Sequence, residues 1–267
     1  MTETLFVNPL ESSSSNLNSN FLMNTSASTF QHSEFNPYQD NGGLSVAISG
    51  EDYVILAGDT RQVKDYNINS RYQPRVFDIG DNLVVSTCGF SGDSNEVMRI
   101  LKKQLILYHH KHNRQLRVKS AARLIQTILY SRRFFPYYVY VMVAGIDEEG
   151  KGAIYTFDPV GSYERVPYQA TGGSASLALP LLDSQNCFIN DLILRYWGVG
   201  RKNQYENVNG HLQRCSPSVL TFDQAMKMVK DVYTSVTERH IQIGDRACIF
   251  TVTSNGICIE EYPLRRD

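Results

Sequence analysis

The chain has 267 residues, with 26 Lys and Arg against 27 Asp and Glu and a formal net charge of −1. That balance excludes a dedicated nucleic-acid binder, which carries a basic excess, and no apolar run approaches the roughly 18 residues that a membrane-spanning helix needs. A hydrophobic content of 42% with 20% charged residues is ordinary globular chemistry, in a length sufficient for one large domain or two small ones.

Residues 1–34 form a segment apart, with a serine run from Ser12 to Ser15, recurring asparagines and scattered apolar residues without period. Such a segment buries too little surface to offset its ordering entropy, and is expected to be a disordered leader. The first Lys or Arg of the chain is Arg61. The N-terminus therefore fits neither a secretory signal, which needs a basic start, nor an arginine-rich transit peptide.

A predicted hairpin follows. Residues 44–49 alternate apolar and small side chains, Gly50-Glu51-Asp52 turns, and 53–57 return apolar. A second hairpin is predicted at 75–79 and 83–88. The period then changes to helical over 91–111, where Val97, Ile100, Leu101, Leu105 and Tyr108 share a stripe. A second helix is predicted over 119–132, burying Ala122, Leu124, Ile125, Ile128 and Leu129. Residues 137–146 are rich in Tyr, Val and Ile, the residues that suit a pleated sheet. The polar, Gly-bearing run 147–152 turns, and 153–158 and 162–165 continue as strands, with strand character up to 171. Helical patterns return at 174–185 and 222–239. The segment 188–216 is read as a variable surface loop, polar and rich in Gly and Asn over its second half. The last strands, 248–253 and 257–262, are joined by Ser254-Asn255-Gly256. Hairpins, two helices, strands, helices and a last hairpin make a layered α/β (α+β) pattern, with mostly antiparallel strands because turns join them.

Five cysteines, Cys88, Cys187, Cys215, Cys248 and Cys258, show no CxxC pair and no metal-ligand spacing. They read as reduced thiols, with Cys88 and Cys248 as small core residues. His109, His110 and His112 lie near a predicted helix end without a Cys or carboxylate to complete a metal set. Asp147, Glu148 and Glu149 read as a solvated turn, and Gly172 to Ser176 as a helix cap rather than a nucleophile elbow. No cofactor and no metal are expected.

The stretch 132–165, RRFFPYYVYVMVAGIDEEGKGAIYTFDPVGSYER, resembles the β-type subunits of the eukaryotic 20S proteasome, at the non-catalytic sixth position of the β ring. The resemblance extends from FNPYQDNGG at Phe35 through GEDYVILAGDTR (50–61), YNINSRYQPRVF (66–77), GGSASLALPLLDSQ (172–185) and TERHIQIGD (237–245) to the terminal YPLRRD. It implies the four-layer αββα sandwich of the N-terminal-nucleophile hydrolases, as one domain over 35–267 preceded by a trimmed leader. It also implies neighbouring β subunits, an α ring and an opposite β ring as partners, and residence in cytoplasm and nucleus.

Active members of that family use a threonine exposed at the N-terminus, whose α-amine, titrating near ~8, serves as the base. A lysine and two aspartates support it. Asp59 in GDTR matches the first aspartate. Sixteen residues before it stands Gly43, or Leu44 if the hairpin is one residue shorter, and neither carries a hydroxyl. The lysine falls at Arg75, whose guanidinium does not release its proton, and the second aspartate falls at His240. Loss of a nucleophile alone costs on the order of 10⁶ in kcat, so the resemblance implies a catalytically silent subunit with vestigial positions Leu44, Asp59, Arg75 and His240. The alternative is an active hydrolase using an atypical nucleophile such as Ser45, which stands one or two residues out of register.

Overall fold

A computed structural model describes residues 38–80, 82–196, 205–208, 211–214 and 220–266. The expected disordered leader at 1–34 lies outside the described residues. In chain order, β1 (Leu44–Ser49) and β2 (Tyr53–Asp59) form the first hairpin, and β3 (Gln62–Lys64) and β4 (Asn67–Ser70) a small second one. Next come β5 (Val76–Gly80), β6 (Leu83–Gly89), α1 (Ser91–His112) and α2 (Val118–Tyr130). Four strands follow, β7 (Val139–Ile146), β8 (Gly152–Phe157), β9 (Tyr163–Val166) and β10 (Tyr168–Gly172). The chain continues through α3 (Ala175–Tyr196), β11 (Tyr205–Val208), β12 (His211–Arg214) and α4 (Phe222–Thr237), and ends with β13 (Arg246–Thr253) and β14 (Gly256–Pro263).

Two five-stranded antiparallel sheets carry the fold, in the orders β10-β1-β2-β13-β14 and β5-β6-β7-β8-β9. Three apolar clusters lie between four layers. One packs α1 and α2 on the second sheet, through Leu101, Leu105, Ile125 and Leu129 against Val139, Val141 and Val143. Another packs α3 and α4 on the first sheet, through Leu182, Val229 and Val232 against Val46, Ile48 and Ile55. The third lies between the sheets, where Ala47, Val54 and Leu56 meet Val84, Met142 and Ile154. This is the αββα sandwich of the N-terminal-nucleophile type. Each fully buried aliphatic side chain contributes about 1.5–3 kcal/mol by leaving water.

The helices form for local reasons. In α2 the buried residues Val118, Ala121, Ala122, Ile125, Ile128 and Leu129 recur at three- and four-residue spacing, one stripe of a 3.6-residue period. Thr221 and Gln224 close a capping box at the start of α4.

One expectation needs correction, and one hairpin has no counterpart among the expected elements. The surface loop expected over 188–216 begins too early: α3, expected to end at 185, continues to Tyr196, and 205–214 contains the β11–β12 hairpin. Pro180, inside α3, does not stop the helix. The β3–β4 hairpin escapes the hydrophobic pattern, because only Val63 among its residues is buried.

A buried ion-pair cluster ties the corner between β2 and β3 to the chain's end. Arg61 Nε donates to Asp245 Oδ2 at 2.7 Å, and Arg71 also pairs with Asp245. Arg61 further donates to the carbonyls of Ile241 at 3.0 Å and Arg265 at 3.2 Å. Burial works against the Asp245 charge, but Arg61 and Arg71 outweigh it and hold the carboxyl below its usual range. A carboxyl depressed in the folded state contributes stability above its unfolded pKa of about 3.9 and loses it as pH falls through the folded value. Asp245→Asn is therefore expected to cost on the order of 2–3 kcal/mol at neutral pH. It should also flatten the acid limb below about pH 4. Denaturant melts of wild type and variant across pH 2–7, showing equal losses at both ends, would contradict this.

Candidate functional site

β1 is buried on both faces, unlike a strand at a sheet surface, because helices cover one side and the second sheet covers the other. Leu44, Val46 and Ile48 point to the α3–α4 layer. Residues 43 and 45 therefore point toward the other sheet, by the two-residue period of a strand. The β1–β2 register, with Ser45 opposite Gly58, sets Asp59 at the end of β2 beside the start of β1.

Asp59 is fully buried. Its Oδ1 accepts the Leu44 N–H at 2.9 Å and pairs with Arg75 Nε at 2.9 Å. Arg75, which precedes β5, is 5% exposed, and its Nη2 donates to the Asn41 carbonyl at 3.0 Å and the Arg61 carbonyl at 2.6 Å. Gly43, at φ +90°, sits directly against this guanidinium. A β-carbon on residue 43 would lie 2.1 Å from Arg75 Cζ and 2.2 Å from Nε. The arginine fork thus fills the space into which a side chain of residue 43 would project. Of the two positions the spacing left open, Gly43 faces the Arg75–Asp59 pair, whereas Leu44 offers it only a backbone N–H and sends its side chain to the helix layer. Tyr233 of α4 secures that placement by donating its hydroxyl to the Leu44 carbonyl at 2.9 Å.

Ser45 is fully buried, and its Oγ lies 3.2 Å from Cys88 Sγ. Burial raises the Cys88 thiol above its ordinary value against the pull of the Arg75 charge, and burial also raises the Tyr233 phenol well above its own. Both stay protonated at neutral pH. Burial pushes the Asp59 carboxyl up too, opposed by Arg75 and the Leu44 N–H. Burial likewise works against the Arg75 charge, but Asp59 holds its pKa above the ordinary value. A guanidinium held protonated cannot take a proton from a neighbouring hydroxyl, so Arg75 can orient and neutralise but cannot act as a base.

His240 follows α4 and does not join this group through any described bond. Its N–H donates to the Val236 carbonyl at 2.9 Å, and its Nδ1 accepts the Gln242 N–H at 3.3 Å, so its bonds are those of a local turn. Gln242, two residues on, is the side chain that reaches Gly42 and Gly173 beside the site.

Asn41 escapes the sequence reading and is the most engaged residue here. Its N–H donates to the Gly89 carbonyl and its own carbonyl accepts the Val63 N–H, both at 3.3 Å. Its side-chain amide donates to the Val63 carbonyl at 3.1 Å and accepts the Ser91 N–H at 2.8 Å. The segment before Gly43 is thereby laced to β3 and to the start of α1. Only the neighbouring Gly42-Gly43 pair hinted at a backbone forced close to other groups.

An open cleft of about 740 Å³ adjoins the site, walled by Asp40, Asp158 and Glu164 and by Tyr138, Tyr140 and Tyr163. Asp59, Arg75 and Ser45 do not line it. The remaining candidates keep to structural surroundings. His109 to His112 end α1, with the His112 ring 4.6 Å from that of Tyr108. Asp147 and Glu149 pair with Arg165 and Lys151 around their turn. Among the described residues no group of His, Cys, Asp and Glu is arranged to hold a metal. Cys88, Cys248 and Cys258 are free thiols, and the side chains of Cys187 and Cys215 lie outside the described residues.

A family model described as "Proteasome subunit" matches residues 39–191. The chain is 49% identical over 236 residues to "Proteasome subunit beta type-6" of Saccharomyces cerevisiae, covering 88% of this chain and 92% of that protein. It is 41% identical over 234 residues to "Proteasome subunit beta type-1" of Danio rerio, covering 88% and 90% of the two chains. With "Proteasome subunit beta type-1" of Arabidopsis thaliana the identity is 38% over 239 residues, covering 90% and 100%.

Proposed function

The chain belongs to the proteasome subunit family as a eukaryotic β-type subunit, and from that premise we propose that it is a non-catalytic member of the 20S core. It assembles with other proteasome subunits. In this reading it takes the sixth place of the β ring, touches both ring neighbours, an α ring and the opposite β ring, and walls the chamber in which other subunits cut peptide bonds. The particle would serve ubiquitin-dependent protein degradation in cytoplasm and nucleus.

One observation carries the silent reading. At the position where an active subunit needs a hydroxyl, this chain has a glycine against the Arg75 guanidinium, and that guanidinium already occupies the side-chain space. Four further features support it. The position that matches the family's lysine holds a group that keeps its proton, and His240 is held in its own turn. Ser45, the alternative nucleophile, has no exposed surface and lies against a protonated thiol. Asn41 laces shut the backbone in front of Gly43.

An electrophilic probe for N-terminal nucleophiles, applied to native particles, tests the reading. Label is expected on partner chains and none on this one. Covalent label on this chain, mapped to any residue from 43 to 45, would sink the proposal. Leu44→Thr is expected to leave the chain unlabelled as well, because that side chain points into the α3–α4 layer. Labelled Leu44→Thr particles would show that the β1 register differs from the one described.

A further inference from the structure

Where β13 begins and β14 gives way to the C-terminal residues, Arg71, Tyr72, Arg246 and Arg266 surround a cleft of about 170 Å³ with Asp245 in its wall. Three guanidiniums share it with one carboxylate, and that carboxylate is fully engaged: Oδ2 takes Arg61 and Oδ1 takes Arg71. With the buried Arg61 included, the Arg61–Asp245–Arg71 cluster carries one net positive charge. Arg246 pairs at 2.7 Å with Glu261, which is 61% exposed, and its guanidinium lies 5.5 Å from the centre of the Tyr72 ring. That ring is 69% exposed. Arg266 adds a further positive charge, and among the described residues Asp245 is the one acidic residue that lines the cleft.

Like charges gathered in a concavity raise the local potential and attract anions. A guanidinium fork matches a carboxylate through two parallel hydrogen bonds. Exposed tyrosine and arginine together are the residue types that protein interfaces favour. The cleft is too small for a helix or a folded ligand and suits one short acidic side chain. We propose that it receives an Asp or Glu of an adjoining proteasome subunit, held by Arg246 and Arg266 and covered by the Tyr72 ring. This rests on the reading of the chain as a ring subunit. The cleft would then be one of the contacts that hold the chain in its particle, and its strength would fall with salt.

The test compares native particles carrying wild-type chain with particles carrying Arg246→Gln and Arg266→Gln together, sized under native conditions through a salt series. The variant is expected to enter particles at low salt and to be retained roughly tenfold or more less well near physiological ionic strength, the range for truncating one side of an interfacial charge pair. In a second arm, a photo-crosslinking residue replaces Tyr72. It is expected to join this chain to another subunit within a segment that bears Asp or Glu. Retention that follows wild type throughout the salt series overturns the proposal, as do crosslinks confined to this chain. Absence of the wild-type chain from the large particle would instead overturn the ring-subunit reading itself.

Discussion

Arg75→Met is expected to destabilise the folded chain by about 3–5 kcal/mol, the range for removing one partner of a buried ion pair. The guanidinium is the charge partner of a carboxylate with no exposed surface, and it also satisfies the carbonyls of Asn41 and Arg61. Methionine keeps much of the aliphatic stem but leaves Asp59 charged and unpaired. The pH dependence gives the effect a signature. With Arg75 gone, the Asp59 pKa rises further, and a group whose folded pKa exceeds its unfolded value stabilises at low pH and loses that contribution as pH rises through the folded value. The deficit of the variant should therefore shrink as pH falls. Arg75→Met with Asp59→Asn should recover a large part of the loss, since the uncompensated charge is then absent. Urea melts of the four chains of this double-mutant cycle at pH 5 and pH 8 measure both claims. A double variant no more stable than Arg75→Met would show that the loss came from packing and carbonyl satisfaction rather than charge.

The second large effect is at Gly43. Gly43→Thr supplies the hydroxyl that catalysis in this family calls for, yet it is expected to give an unlabelled and destabilised chain. The residue sits at φ +90°, a conformation that costs a β-branched side chain roughly 1–2 kcal/mol or more. Its β-carbon would also fall 2.1–2.4 Å from three guanidinium atoms, so either Arg75 leaves Asp59 or the backbone moves. The Asp59–Arg75 pair and the threonine thus compete for one space. Gly43→Ala separates the contributions: it should carry most of the destabilisation, with the hydroxyl adding little. Assembly yield and thermal midpoints of native particles measure the loss, and probe labelling measures any gain. Particles carrying Gly43→Thr that assemble normally and take the label would show that Arg75 yields readily, and the silent reading would fall with that result.

Much of the fold is legible from local chemistry. The turn at Gly50-Glu51-Asp52 and the turn at Ser254-Asn255-Gly256 mark their hairpins because glycine and small polar residues suit the chain reversal. The α2 stripe announces a helix and its buried face together, because three- and four-residue spacing puts side chains on one side. Less was legible where the local signal is weak or ambiguous. The β3–β4 hairpin has almost no buried residue to create an alternation. The last half of α3 reads as the start of a loop only because the polar segment beyond it dominates the composition.

The sequence by itself determined the family, the layer pattern and the residue types at the positions that the resemblance aligns with the family's catalytic residues: a glycine or leucine against the nucleophile, an arginine against the lysine and a histidine against the second aspartate. Tertiary structure alone decided which of Gly43 and Leu44 faces the charge pair, because that depends on strand register, and a one-residue slip turns every side chain over. It alone showed the Arg75 fork filling the space beside Gly43, the Asn41 lacing across β3 and α1, and His240 bonded within its own turn. The partners involved are distant in the chain: Asp245 meets Arg61 across 184 positions and Tyr233 meets Leu44 across 189. No local period or turn signal reports such meetings. They follow from how two sheets and two helix layers close on each other, and it is that closure that fills the site.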